Sequence, residues 1–432
     1  MADFARSTNP DVQAQLDRLS MLSPAGDRLG LERIFGMLDR LGRPHEQLPP
    51  VLHVAGTNGK GSTVAFLRAA LEAAGYEVHA FTSPHLVRFN ERIRISGRLI
   101  DDGQLAQLLH EVLDVSGDIE PSFFEVATAV ALLAFARTPA DACLLEVGLG
   151  GRLDATNVIE RPLVTGIANL ALDHQQFLGD GLIDIAAEKA AIAKRGVPLL
   201  TQLYPPEVAG RIREIAHEVG APWMPRGSNW DAIASNGKLH YQDEHGSLDV
   251  PLPRLPGRYQ AMNAALAIAM VRQQEKLRVP LSALNASMGW AEWPARLQRL
   301  ATGPLVGARE VWLDGGHTPS AARQVAGWVK HAFGDGKPLH VIFASLASKD
   351  PPGMLEPFRT LASEVHTVPI GDHSSFAAAE LAEMASELGF VSMAHDDFKE
   401  ALATIPNDAR VLIFGSLYLA GQVLAANDQV PD

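Results

Sequence analysis

The chain is short of cysteine: Cys143 stands alone, so no disulfide can form within it. Its setting, the apolar run Ala142-Cys143-Leu144-Leu145, predicts a buried structural thiol. No stretch is long and apolar enough to span a bilayer, and Met1 to Pro10 lacks the apolar segment of a signal peptide, so the expected location is the cytoplasm. Cations are also in deficit, with 37 Lys and Arg against 50 Asp and Glu and a formal net charge of -13. That balance disfavours a broad footprint for nucleic acid or an anionic membrane, so an anionic substrate must be held by focused groups. Internal repeats and low-complexity tracts are absent.

What is present is ordinary globular material, 47% hydrophobic and 20% charged, which predicts a chain folded throughout. At 432 residues it exceeds the size at which one core keeps growing, and two domains are expected. Apolar runs at 51–56, 77–82, 142–148, 163–169 and 197–202 read as strands. Helical patterns at 62–74, 123–137, 184–195 and 205–219 alternate with them, as in a doubly wound, mostly parallel sheet. Between 223 and 257 the pattern weakens into turn formers with short extended pieces, a small β excursion, before a helix at 260–274. Turn formers follow from Trp293 to Pro304, and strands near 310–313, 339–344, 365–369 and 410–414 alternate again with helices. The expected division is 1–298, an α/β domain carrying the nucleotide loop, and 299–432, a smaller Rossmann-like α/β domain.

The chemistry begins at Gly56-Thr57-Asn58-Gly59-Lys60-Gly61-Ser62-Thr63, which lies between a predicted strand and a predicted helix. There the backbone N–H groups and the helix N-terminus can face phosphate. Glycines let the backbone curl around phosphate oxygens, Lys60 can neutralise the outer phosphates, and Ser62 or Thr63 can offer a hydroxyl to phosphate or magnesium. The strict G-x-x-x-x-G-K-[ST] pattern is not met: Val54 occupies the first glycine position and Gly61 separates Lys60 from the hydroxyl residues. Glu146 ends an apolar strand beside Gly148, Gly150 and Gly151, at the strand edge where α/β proteins place ligands, and is the obvious magnesium carboxylate.

The loop resembles that of the folylpolyglutamate synthase and dihydrofolate synthase family, bifunctional bacterial type, within the Mur ligase superfamily. Other segments agree with it in family order: Leu29-Gly-Leu-Glu-Arg-Ile34, Thr82-Ser-Pro-His-Leu86 with Asn90-Glu-Arg-Ile93, and Phe123-Phe-Glu125. The run Glu146 to Asn157 follows, then Leu172-Asp-His174, Glu188-Lys-Ala190, Gln260 with Asn263, and Gly415-Ser-Leu-Tyr-Leu419. Two places depart from the family pattern. Asp-Gly-Ala-His-Asn-Pro stands here as Asp314-Gly-Gly-His-Thr-Pro319, and Glu-Lys-Ala-Gly as Glu188-Lys-Ala-Ala191. Thr318 is expected to alter a nucleotide contact.

The resemblance implies an ATP- and Mg2+-dependent ligase that joins L-glutamate to dihydropteroate and to tetrahydrofolates through an acyl phosphate. It implies nucleotide contacts from Thr57, Asn58, Gly59, Lys60, Gly61, Ser62, Asn263, Arg296, Asp314 and His317, and magnesium held by Ser83, Glu146 and His174. Lys60, Lys189 and His174 are the implied catalytic residues, with Lys189 a candidate N6-carboxylysine. The pterin substrate is expected at Arg28, Leu29 and Gly30, at Ser122, Phe123, Phe124 and Glu125, and at Leu153, Asp154 and Ala155. Taken without the family, His174 reads as a hydrogen-bonded structural histidine, Lys189 as a solvated helix residue, and Phe123 and Phe124 equally as helix-start core. The expected partners are small molecules, with no nucleic acid or membrane, and the expected state is a monomer that closes its two domains around the reaction. The alternatives are a cell-wall Mur-type ligase acting on a muramoyl nucleotide, which would share the loop and the acyl-phosphate chemistry, and a non-catalytic nucleotide switch. The Thr82-Ser-Pro-His and Gly415-Ser-Leu-Tyr segments favour folate.

Overall fold

The computed structural model describes residues 5–22, 29–307, 309–371 and 373–432. The chain divides into two compact α/β units. The first runs to Arg254 and includes Gln260–Glu292; the second comprises Leu255–Tyr259 and Trp293–Pro431.

The first unit is built on strands β1 (Val51–Ala55), β2 (Val78–Phe81), β3 (Ile93–Ile95), β4 (Arg98–Leu99), β5 (Ala142–Glu146), β6 (Val164–Ile167), β7 (Leu199–Thr201) and β8 (Trp223–Pro225). Their order is β4-β3-β2-β5-β1-β6-β7-β8, parallel except for the antiparallel β3 and β4. Strands β1 and β5 are buried along their whole length, as expected where both faces of a parallel sheet are covered. The helix Phe123–Arg137 is buried from Glu125 to Phe135 and packs into one core with the helices Pro10–Leu22, Glu32–Arg40 and Asp102–Asp114. Cys143 is buried in that core, and burial pushes its thiol pKa up, as a structural thiol requires.

The observed boundaries differ from the expected ones for identifiable reasons. The helix expected at 62–74 is Lys60–Ala73, because Gly59 with φ 90 carries the chain straight into it. The helix expected at 184–195 is Leu182–Ala190. Asp184 accepts from the Gly181 N–H at its start, and past Ala190 the chain tightens into turns (Ile192 N–H to Lys189 O, 3.3 Å; Ala193 N–H to Ala190 O, 2.9 Å). The β excursion is a three-stranded antiparallel meander, β9 (Trp230–Ser235), β10 (Lys238–Asp243) and β11 (Gly246–Pro251). Its first turn is Asn236-Gly237, both at positive φ, the residue pair that hairpin twist selects. Trp223–Pro225 belongs instead to the edge of the large sheet.

The second unit has the sheet order β12-β13-β17-β14-β15-β16, parallel except at β12. Its strands are β12 (Gln298–Arg299), β13 (Glu310–Asp314), β14 (Leu339–Phe343), β15 (Glu364–Thr367), β16 (Ser392–Ala394) and β17 (Arg410–Phe414). The Arg410 side chain, 6% exposed, reaches Glu310 at 2.8 and 3.0 Å and Asp335 at 3.1 and 3.0 Å, and lies 4.0 Å over the Phe333 ring. Such an arginine ties strand ends by paired charge-assisted bonds. Among the described residues no helix is long and apolar enough to cross a membrane.

At the end of β17, Gly415 has φ 109, and a Cβ there would lie 2.3 Å from the Ala344 carbonyl oxygen. Gly415→Ala is expected to cost about 2 kcal/mol or more, from strained backbone and forced displacement of a neighbouring strand end. A lowered denaturant midpoint in urea unfolding checks this; an unchanged midpoint would show that the loop relaxes freely.

Candidate active site

Gly56 follows β1 with φ 147, and a Cβ there would sit 2.9 Å from that of Ala168. The Thr57 and Asn58 N–H groups both donate to the Asn169 carbonyl (2.8 and 3.1 Å), and the Thr57 hydroxyl donates to Ala171 O (3.0 Å) and accepts from Ala171 N–H (3.2 Å). The loop is thus laced to the segment after β6. At Gly59 a Cβ would lie 2.4 Å from Asn263 Oδ1, so only glycine lets Asn263 approach. Asn263 Nδ2 donates to Gln260 Oε1 (3.0 Å). Lys60 arches back, its Nζ 3.4 Å from Thr57 O, while Gly61 and Ser62 are buried in the first turn of the helix. Thr63 turns its hydroxyl to Gly59 O (2.8 Å). Asn58 Nδ2 and Gln260 Nε2 are buried donors without a partner among the described residues, and so are available to a ligand's oxygens.

The parallel register sets Val54 beside Glu146 on the neighbouring strand. The Glu146 residue is 3% exposed, and its Oε2 accepts from Ser83 N–H (3.2 Å), so two of the predicted metal residues are in direct contact. The loop after Glu146 docks on the end of the helix Leu182–Ala190. A Cβ on Gly151 would fall 2.5 Å from Glu188 O and 3.0 Å from Lys189 Cα; Arg152 N–H donates to Glu188 O (2.9 Å), and its guanidinium pairs with the Glu188 carboxylate (2.9 Å). Lys189 is 4% exposed, which overturns its reading as a solvated helix residue. Desolvation first, then the Lys60 charge, pulls its pKa down to about 7, against the opposing pull of Asp173, Asp154 and Glu188. His174 stands at φ 52 before the short helix Gln175–Leu178, its backbone N–H on Asp173 Oδ1 (2.9 Å) and its Nε2 3.7 Å from Asp173 Oδ2. Asp173, present in the Leu172-Asp-His174 segment but assigned no role from sequence, thus lies against His174, and its charge opposes the fall of the Lys189 pKa.

Of the expected pterin residues, Ser122 and Glu125 close a reciprocal cap on the helix Phe123–Arg137: the Ser122 Oγ accepts from Glu125 N–H (3.2 Å) and Glu125 Oε2 from Ser122 N–H (2.7 Å). That S-x-x-E pattern was legible in the sequence. Arg33, unassigned from sequence, donates to the same Oε2 (3.0 Å), leaving the buried Oε1 unpartnered among the described residues. Phe123 meets Phe89 edge-on (5.7 Å) and lies 5.3 Å from the Arg92 guanidinium; Phe124 packs against Phe81 and over Gly148. Both rings are half-buried. Asp154, 3% exposed, accepts from the N–H groups of Leu149 (2.8 Å) and Thr156 (3.0 Å) and from the Thr156 hydroxyl, so its carboxylate shapes its own loop. Beside it Ala155 is buried and Leu153 half-buried. Leu29 and Gly30 are half-buried just ahead of the helix Glu32–Arg40, and Arg28 lies outside the described residues.

In the second unit, Asp314 ends β13, 2% exposed, and accepts from Leu297 N–H (2.9 Å) and Gly316 N–H (2.7 Å). Burial raises its pKa and the Arg296 charge opposes that rise. Arg296 is flanked by Ala295 and Leu297 at φ 55 and 46, and its Nη1 donates to Ala295 O (2.9 Å). His317 Nδ1 lies 3.0 Å from Gly315 O. Thr318 caps the helix Pro319–Ala332 through Ala321 N–H (3.1 Å), a task threonine and asparagine share. Ala191, the other departure, has φ -69 and makes no demand for glycine.

Comparison with known proteins accords with this arrangement. A family model described as "Dihydrofolate synthetase, C-terminal domain" matches residues 306–426. The dihydrofolate synthase/folylpolyglutamate synthase of Bacillus subtilis (strain 168) is 34% identical over 416 residues, 92% of this chain and 95% of the relative. That of Escherichia coli (strain K12) is 34% identical over 402 residues, 93% and 92% respectively. Among solved structures, E. coli FolC in complex with DHPP and ADP superposes with a TM-score of 0.88 at 31% identity, covering 98% of this chain and 99% of that one. The bifunctional Yersinia pestis enzyme complexed with AMPPNP and Mn ion gives 0.85 at 30% identity over 98% and 99%. With phosphate loop, strand-end carboxylate and buried lysine in place and identity extending over both units, the chain belongs to the dihydrofolate synthase/folylpolyglutamate synthase family.

Proposed function

We propose that this chain is a cytoplasmic ATP-dependent ligase that joins L-glutamate to dihydropteroate and to tetrahydrofolates. The observation that carries the reading is the grouping of Lys60, Glu146 and Lys189 where the carboxyl ends of β1 and β5 adjoin. A loop that only reads a nucleotide uses a strand-end carboxylate for magnesium but has no use for a second, desolvated lysine beside it. Relatives solved with ADP and DHPP, and with Mn, AMPPNP and L-glutamate, bind the reactants such a reaction needs.

The donor set suits magnesium. Glu146 and Ser83 offer the oxygen ligands a small hard cation prefers, with His174 as the family's third ligand. Bound there, Mg2+ would supply charge neutralisation at the phosphates. The chain's own groups do the rest. Backbone N–H groups at the start of the helix Lys60–Ala73, the Asn58 and Gln260 amides and Lys60 hold the triphosphate in line. The acceptor's carboxylate oxygen attacks the γ-phosphorus and ADP leaves, giving an acyl phosphate. The glutamate amine then attacks the acyl carbon, loses a proton, and phosphate departs as the amide forms. Arg296, Asp314 and His317 are the proposed nucleotide contacts of the second unit. Glu125 Oε1, Phe123 and Phe124, with Arg33 behind them, are the proposed pterin contacts, an acceptor and two rings suited to a flat heterocycle.

Lys189 has a further role in this reading. An amine held at pKa about 7 is largely neutral near physiological pH, the form that adds to CO2, and the resulting carbamate would replace a cation next to Lys60 with an anion. A carbamylated Lys189 then acts as an extra carboxylate for metal and phosphate positioning.

Purified protein with Mg2+ and ATP is expected to release ADP in a glutamate-dependent manner with either dihydropteroate or tetrahydrofolate, each product one glutamate heavier. Release only with a muramoyl nucleotide would move the chain to cell-wall synthesis; glutamylation of a single pterin class would end the bifunctional claim. Lys60→Ala is expected to lower turnover about 10²- to 10³-fold with an unchanged melting curve. Turnover that survives in the folded variant removes Lys60 from the mechanism. In CO2-stripped buffer the wild-type rate is expected to fall several-fold and to return with bicarbonate, while Lys189→Met stays slow in both. A wild-type rate indifferent to bicarbonate would leave Lys189 an unmodified cation.

A further inference from the structure

We propose that His340, Glu364 and His366 form a binding site for a tetrahedral divalent transition ion of the zinc(II) class, in the sheet of the second unit and separate from the nucleotide chemistry. Strand pairing builds it. His340 on β14 is the register partner of Glu364 on β15, and His366 lies two residues further along β15, so it shares a face with Glu364. Three ligand atoms converge: His340 Nδ1 to His366 Nε2 is 3.1 Å, and Glu364 Oε2 is 3.6 Å from each.

Those separations accommodate a small tetrahedral ion, and the ligand types choose among ions. Four ligands about 2.0–2.1 Å from zinc stand about 3.3–3.4 Å apart, a value the three distances bracket. An octahedral ion at the same bond length requires neighbouring ligands about 2.9 Å apart, shorter than all three. The ligand chemistry agrees, since two imidazoles and one carboxylate with a fourth position open describe a borderline-soft cation and not magnesium.

The surroundings fit as well. The residues His340 and His366 are 5% and 1% exposed, whereas the Glu364 side chain is 36% exposed and marks the side from which an ion and its water enter. His366 Nδ1 lies 3.0 Å from His395 Nε2, so a ring ligating through Nε2 keeps an outer hydrogen bond to orient it, as metal-bound histidines do. Without metal the rings form a relay, His340 to His366 to His395, with one proton between the first two. The ion takes that proton's place while His340 shifts its N–H to Nε2, with no net proton released.

The test uses the full chain, stripped by chelator and titrated with ZnCl2 in saturating Mg2+, which keeps the oxygen donors around Glu146 occupied. The expected result is one zinc per chain, retained in Glu146→Gln and lost in His340→Gln. Glu364→Gln, at the exposed ligand where folding is least at risk, is expected to weaken binding at least 10-fold, and His395→Gln about 10- to 100-fold. Cobalt(II) in the same site is expected to give the intense visible bands of four-coordinate cobalt. No uptake by the wild type, the same affinity in Glu364→Gln, or the weak spectrum of octahedral cobalt would each overturn the proposal.

Discussion

The parallel pairing of β1 with β5, with Val54 beside Glu146, is the interaction on which the rest of the first unit's site depends. A parallel ladder brings carboxyl ends to the same edge, so the phosphate loop leaving β1 and the carboxylate closing β5 must be neighbours. Both strands are buried throughout, and that burial holds the edge rigid. A slip of one residue would turn every side chain on one strand to the opposite face and move Glu146 away from the loop.

Around that edge, close backbone approach does what side chains cannot. Gly59 admits Asn263, Gly148 admits the Phe124 ring, and Gly151 lets a loop rest on the Glu188-Lys189 backbone. Each absent Cβ brings a polar or aromatic group closer than van der Waals contact would otherwise allow. The outcome is close packing around the buried Glu146 and Lys189, and the same burial lowers the Lys189 pKa. Loss of solvent is the main cause and the nearby Lys60 charge adds to it, so Lys189 is drawn toward its neutral form.

The site residues also divide by how their polar atoms are used. Ser122, Asp154 and Thr318 direct their side chains into caps and loop turns, so these segments of the family pattern carry structure as much as recognition. Glu125 fixes the helix start and Arg33 with one oxygen, while its other oxygen is buried without a partner among the described residues. Thr318, where the chain departs from the family pattern, caps its helix through its hydroxyl, a task that asparagine also performs at helix starts.

Much of this was determined by the sequence alone. Strands β1, β5 and β17 are mainly apolar runs, interrupted only by His53, Glu146 and Arg410, the alternation with helices specified parallel sheets, and the ordered glycines with Lys60 and Glu146 pointed to a phosphate site, because hydrophobic periodicity and glycine placement act locally. The short β3, β4 and β12 were not legible: two or three residues bearing Arg94, Arg98 or Gln298 carry no period, and only a neighbouring strand's unpaired edge makes them strands. The burial of Lys189, the contact of Asp173 with His174 and the convergence of His340, His366 and His395 were likewise decided by tertiary structure. Charge state depends on how much water remains around a group, and residues far apart in the chain meet only through strand register, neither of which a one-dimensional pattern contains.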